Sequence, residues 1–214
     1  MNSYLTQSDR ATGKRHPPGL EDAGRIINGV SRVHTRNNGA YPNPPLTLIP
    51  SFPDLPMEEV FARVPKTDIP EVYVREAGNG RVVYFPWDID RTFWEVLATD
   101  HWKLLRNAVD WVTNEPRPVV VTGAGMLDVT MWRQKDSVTV HLVNLTNPMT
   151  MKGPIREFIP TPPQSVTIRL PDGRKARHVR LLVSAQTPRV QVSGGSITLT
   201  IPSILDHEVV AIDV

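Results

Sequence analysis

Asp88, Asp90, Arg91 and Glu95 stand among Trp87, Phe93 and Trp94. Two carboxylates facing each other at about 5–9 Å across a sugar are what a glycosidase needs, one to protonate the leaving oxygen and one to attack or to activate water. Aromatic faces beside them suit the axial C–H groups of a pyranose. The same residues also read as scaffold: Asp88 and Asp90 would cap turns, Arg91 would pair with one of them, and Trp87, Phe93, Trp94 and Trp102 would be core or interface anchors, where Trp is enriched. A loop fixes no common direction for residues two apart, so packing or ligand contact is expected here rather than catalysis.

Other catalytic patterns are weaker. The six histidines (His16, His34, His101, His141, His178 and His207) show neither His-x₃-His nor His-Glu-x-x-His spacing, so no metal site is expected. Cysteine is absent, which removes thiolate chemistry and disulfides. There is no Gly-x-Ser-x-Gly elbow. Thr122-Gly123-Ala124-Gly125 is too short for a phosphate loop and lacks its Lys. Asn144-Leu145-Thr146 is a glycosylation sequon in a eukaryotic secretory path. In Asp206-His207-Glu208, alternation along a strand sends His207 away from its neighbours, and the triplet reads as a strand entry. No cofactor is expected.

These residues need elements to hold them. Glu71-Val72-Tyr73-Val74-Arg75-Glu76 alternates like a half-buried strand. Ala77-Gly78-Asn79-Gly80 supplies a hairpin turn. Arg81-Val82-Val83-Tyr84-Phe85 returns as a run apolar enough for burial on both faces. A polar and aromatic loop follows, then a helix capped by Asp100. Its face is read as Trp102, Leu105, Val109 and Val112, broadened by Leu104, Ala108 and Trp111, and it ends near Asn114-Glu115-Pro116. Before residue 71 the chain reads as irregular, with Pro17, Pro18, Pro42, Pro44, Pro45, Pro50, Pro53, Pro56, Pro65 and Pro70 excluding long helices and central strands. Two apolar runs survive there, 25–30 and 46–49. So long an irregular stretch suits a segment that packs against something else.

Beyond Pro116–Pro118 the pattern changes. Segments 119–122, 127–132, 137–144, 165–170, 178–183, 189–192, 196–201 and 208–213 read as strands separated by turns such as Pro171-Asp172-Gly173 and Ser193-Gly194-Gly195. Short strands at close spacing without a helical pattern argue an antiparallel β-sandwich. The expected fold is therefore α+β: a partial α/β unit over residues 1–116, then a sandwich over 119–214.

The formal net charge of +2 makes no case for nucleic acid. The densest basic run, Arg174-Lys175-Ala176-Arg177-His178-Val179-Arg180, reads first as a strand edge guarded by charge, with polyanion binding as the alternative. No stretch approaches the about 20 apolar residues of a membrane helix. Met1-Asn2-Ser3-Tyr4-Leu5-Thr6-Gln7 lacks the basic and apolar regions of a signal peptide, and the compartment stays open.

Three ordered segments carry a family resemblance. The strand Gly78-Asn79-Gly80-Arg81-Val82-Val83-Tyr84-Phe85-Pro86, with the downstream His101-Trp102-Lys103-Leu104-Leu105-Arg106-Asn107-Ala108 helix, resembles the closing unit of the flavodoxin-like trimerisation domain of β-galactosidase-type glycoside hydrolases. Ser137-Val138-Thr139-Val140-His141-Leu142-Val143-Asn144 is similar to a strand of the C-terminal sandwich of those enzymes. Pro202-Ser203-Ile204-Leu205-Asp206-His207-Glu208-Val209-Val210-Ala211-Ile212 looks like its last strand. The resemblance implies a larger enzyme whose (β/α)-barrel carries the catalytic carboxylates, followed by a flavodoxin-like domain and a sandwich. These residues match neither the barrel nor the first βα units of the flavodoxin-like domain. The resulting expectation is a non-catalytic accessory and oligomerisation region. Trp87, Asp88, Asp90, Arg91 and Trp94 are its candidates for an interface or sugar contact. Its partners would be further copies, a catalytic barrel, or carbohydrate. The alternatives are a stand-alone carbohydrate-binding sandwich, a subunit that pairs with a separate barrel, and a complete hydrolase using Asp88, Asp90 and Glu95.

Overall fold

The computed structural model describes residues 7–8, 15–16, 19–36, 44–50, 67–147 and 153–214. Pro17, Pro18, Pro42, Pro53, Pro56 and Pro65 lie outside these, as do Met1 to Thr6. The chain divides into two compact units, Met1–Glu115 and Pro116–Val214.

In the first unit, β1 (Gln7–Ser8) pairs with β2 (Arg15–His16). A hairpin follows from β3 (Tyr73–Ala77) and β4 (Gly80–Tyr84). Its two-residue turn has Gly78 at φ +59° with Asn79 at ordinary φ, the glycine-first turn whose twist matches a hairpin. Next come α1 (Ile89–Val96) and α2 (Thr99–Thr113). The stretch expected as a loop is thus a helix. Ile89 and Thr92 turn inward, the Asp88 carbonyl accepts the Thr92 amide and hydroxyl at 2.9 and 2.8 Å, and Arg91 binds Glu95 one turn on at 2.8 Å. Two buried positions in eight residues are too few for helical periodicity to stand out in sequence.

The inward face of α2 is His101, Leu104, Ala108 and Trp111. Ala108 and Trp111 pack on Val74 and Val83 of the hairpin and on the flanking Val72 and Phe85. Leu104 packs with Leu20, Trp87 and Ile89. Trp102, Val109 and Val112 are exposed, so the stripe read as the core face lies beside it. Asp100 does not cap the helix: Ala98 is the N-cap, and Asp100 sits in the first turn, where its negative charge complements the positive helix end. The β4 strand is also covered on one face only, for Val82 and Tyr84 are exposed.

The segment before the hairpin contains no helix among the described residues and is bound edge-on. Arg32 bridges Trp87, and Thr47 bridges Pro70. Val33 N–H donates to Pro86 O at 2.7 Å, and Glu71 N–H to Leu46 O at 3.0 Å.

The second unit is a sandwich of two four-stranded antiparallel sheets. Its strands are β5 (Val119–Thr122), β6 (Leu127–Arg133), β7 (Ser137–Asn144), β8 (Gln164–Arg169), β9 (His178–Leu181), β10 (Val190–Ser193), β11 (Ser196–Ile201) and β12 (His207–Asp213). One sheet has the order β10-β11-β8-β5, the other β6-β7-β12-β9. Alternation places Val138, Val140 and Leu142 of β7, Val166 and Ile168 of β8, Ile197 and Leu199 of β11, and Val210 and Ile212 of β12 in one shared core. Each such side chain contributes about 1.5–3 kcal/mol by leaving water. The expected α+β fold with sandwich character is the observed one.

Candidate functional site

The junction of β4 and α1 carries all five residues singled out by sequence, and it splits them into an inner and an outer group. Trp87 is buried at 7 % exposure. Its indole Nε1 donates to Glu71 O at 2.9 Å, and its ring meets Phe85 and His101 edge-on at 6.2 and 5.8 Å. A sugar has no access to that face in this arrangement. Asp88 is half-buried. Its Oδ1 accepts the Ser31 amide at 3.1 Å, while its own amide donates to Ser31 O at 3.1 Å. Gly29 lies so close that a Cβ there would strike the Asp88 carboxylate. Asp88 therefore clasps the 29–33 segment.

Asp90, Arg91 and Trp94 lie on the outside of α1, with Trp94 57 % exposed. Arg91 donates to Glu95, and this hydrogen bond holds the guanidinium pKa above its ordinary value. Asp88 faces inward and Asp90 faces solvent, so the two carboxylates do not flank a common space, and Glu95 is engaged by Arg91. The arrangement offers an exposed aromatic with adjacent charge, suited to a contact surface.

Beneath Trp87 sits a polar cluster that no sequence motif marks. Arg32 Nη1 lies 2.8 Å from Glu71 Oε1, with both side chains largely buried. Burial pushes the Glu71 carboxyl above its usual range, and Arg32 only partly offsets this. His101 is fully buried, with Nε2 2.8 Å from Ile27 O. Asp88 Oδ2, Thr35 Oγ1 and His101 Nδ1 are buried without a hydrogen-bond partner among the described residues. Since Arg32 and Glu71 are 39 residues apart in number and lie on segments of different character, no spacing rule could pair them.

In the sandwich, Glu208 is nearly inaccessible and accepts amides from Val183 (2.9 Å), Ser184 (3.1 Å) and Val209 (2.8 Å). Burial pushes its pKa up, but a hydrogen bond from the Ser184 side chain, with those from the Val183, Val209 and Ser184 amides, outweighs it and leaves the carboxyl below its usual range. Asn144 is also buried. It donates to Ile159 O and Leu205 O at 2.8 and 2.7 Å and accepts the Thr146 amide at 3.0 Å. The sequon asparagine is thus a structural tie with no room for a glycan in the folded chain. The basic run lies along and before β9, an edge strand. Among the described residues no group of three His, Asp or Glu side chains could hold a metal ion, and no helix is long and apolar enough to cross a membrane.

No family model matches the sequence, and no curated protein matches it. Among solved structures, α-L-fucosidase isoenzyme 2 from Paenibacillus thiaminolyticus is similar, with a TM-score of 0.55 at 18 % identity. The match covers 68 % of this chain and 22 % of that enzyme's chain. At this identity the likeness is one of fold: the chain has a fold found within a glycoside hydrolase.

Proposed function

We propose that this chain is a non-catalytic C-terminal accessory and assembly region of a glycoside hydrolase, in which the first unit is the end of a flavodoxin-like domain and the sandwich follows it. The catalytic barrel would be supplied elsewhere, in the same polypeptide or by a partner. The observation that carries this reading is the uncovered apolar surface of the first unit. Trp94, Trp102, Val109 and Val112 on the helices, and Val82 and Tyr84 on the outer face of the hairpin, are all exposed. A two-stranded hairpin with one bare face is marginal by itself, and large exposed apolar patches mark contact surfaces. Further strands and a facing helix, or another copy, would cover these residues. The β-galactosidase-type resemblance of the Gly78–Pro86 strand and its helix supports the same reading, as does the fold shared with part of a fucosidase.

Light scattering on the full chain tests it. The expected result is self-association that Val109→Asp abolishes. A monomer that also fails to bind a hydrophobic dye would overturn the assembly reading. The coding sequence upstream of Met1 tests the parentage. In-frame βα units and a barrel with two carboxylates are expected there or in a co-purifying partner. A lone chain with neither would overturn it.

A second reading, a carbohydrate-binding sandwich, is favoured by one feature: Trp132 and Phe158 are 62 % and 56 % exposed. Oligosaccharide binding lost in Trp132→Ala would support that reading, and its absence would remove it.

A further inference from the structure

The sandwich is open along one flank. β9 and β10 are edge strands of opposite sheets, and a groove of about 540 Å³ runs between them. Its lining includes the apolar Val179, Val190 and Val192 and the polar Arg177, His178 and Arg180. Val190 lies opposite Leu199 and Val192 opposite Ile197. Directly opposed residues share a face, and Leu199 and Ile197 are buried in the core, so Val190 and Val192 point inward. Even so, Val192 is 73 % exposed. An inward-facing valine left in water means that no strand of the facing sheet reaches over it.

The backbone repeats the pattern. Alternate residues of an antiparallel strand aim their N–H and C=O groups away from the paired neighbour. Among the described residues, 190–193 make no backbone hydrogen bond outside the pairing with β11. β10 thus offers a free edge beside apolar lining.

Charge selects the occupant. Arg177, His178 and Arg180 line the groove, and Arg189 precedes β10. The single acid in the lining, Asp213, lies 3.9 Å from Arg180. A second copy docking β10 to β10 would bring the same arginines together. A pyranose would find no Trp, Tyr or Phe in the lining. We propose that β10 accepts an extended acidic segment of a partner polypeptide as an added strand. Its apolar residues would cover Val190 and Val192 at alternate positions, and its carboxylates would meet Arg177, Arg180 and Arg189. This inference concerns the second unit alone and does not rest on the assembly surface of the first.

The probe is a fluorescent decapeptide of alternating Glu and Val, titrated into the full chain and followed by anisotropy. Binding is expected, weakening as salt rises. Val192→Asp and Arg177→Glu should each reduce affinity by about tenfold or more. Both sites are solvent-exposed, so the variants retain the fold, which circular dichroism checks. Amide exchange should slow at 190–193 on binding. The proposal is overturned if the peptide does not bind, if both variants bind it unchanged, or if a Lys-Val peptide binds equally well. It is also overturned if a sulfated oligosaccharide is the preferred ligand, or if the flank forms a dimer that excludes the peptide.

Discussion

Glu71 and Glu208 are both buried carboxylates, and their surroundings move them in opposite directions. For Glu208 the folded pKa lies below the unfolded one. Its stabilisation is therefore fully present above the ordinary carboxylate pKa and is lost as pH falls through the depressed value. Glu208→Gln should cost about 2 kcal/mol at neutral pH and flatten the acid limb of the sandwich's stability curve, measured by urea unfolding at several pH values. For Glu71 the folded pKa is raised, so the folded state holds its proton longer and stability falls as pH rises from the ordinary value through the raised one. Arg32→Ala would leave that carboxylate buried without its counter-charge. A loss of about 3 kcal/mol is expected in the first unit, read from the fluorescence of Trp87 and Trp111. A third residue, Ala185, sits at φ +55° in an exposed turn, and Ala185→Gly should gain about 0.5 kcal/mol in thermal unfolding. None of the three was legible in the sequence. Alternation says which way a side chain points, whereas partner identity depends on segments brought together from far apart.

Among the elements, α2 shows most clearly what periodicity can and cannot decide. At about 100° per residue, Trp111, Leu104, Ala108 and His101 span an arc of about 80° that is buried. Val112, Leu105, Val109 and Trp102 continue the apolar arc for about 100° more. The sequence shows one broad apolar face; nothing in it says which half meets the hairpin. The two halves should therefore respond differently to substitution. Leu104→Ala should cost about 3 kcal/mol, while Val109→Ser should change stability by less than about 0.5 kcal/mol and reduce association, as thermal unfolding and light scattering would report. The helix α1 leaves little trace in the sequence because it is short and shows only two inward positions. The sandwich strands were legible because inside-outside alternation runs through the central ones, most fully in β7, β8 and β11.

For the whole molecule, the division of labour is between a sandwich whose inner faces are joined in one core and a first unit that leaves apolar surface bare. If the chain is an accessory region, it should not hydrolyse nitrophenyl galactosides or fucosides. Turnover that vanishes in Asp88→Asn with Asp90→Asn would restore the hydrolase reading. Composition, turn residues and alternation were enough to determine the α+β class, the hairpin and the strands of the sandwich, because these follow from local backbone preference and from which side of each element is apolar. The tertiary structure alone decided that Trp87 and Asp88 face inward, that Asp90, Arg91 and Trp94 face solvent, and that Arg32 meets Glu71. It also decided that the flank beside β10 lies open. Each of these depends on contacts between segments distant in sequence, and no local pattern encodes them.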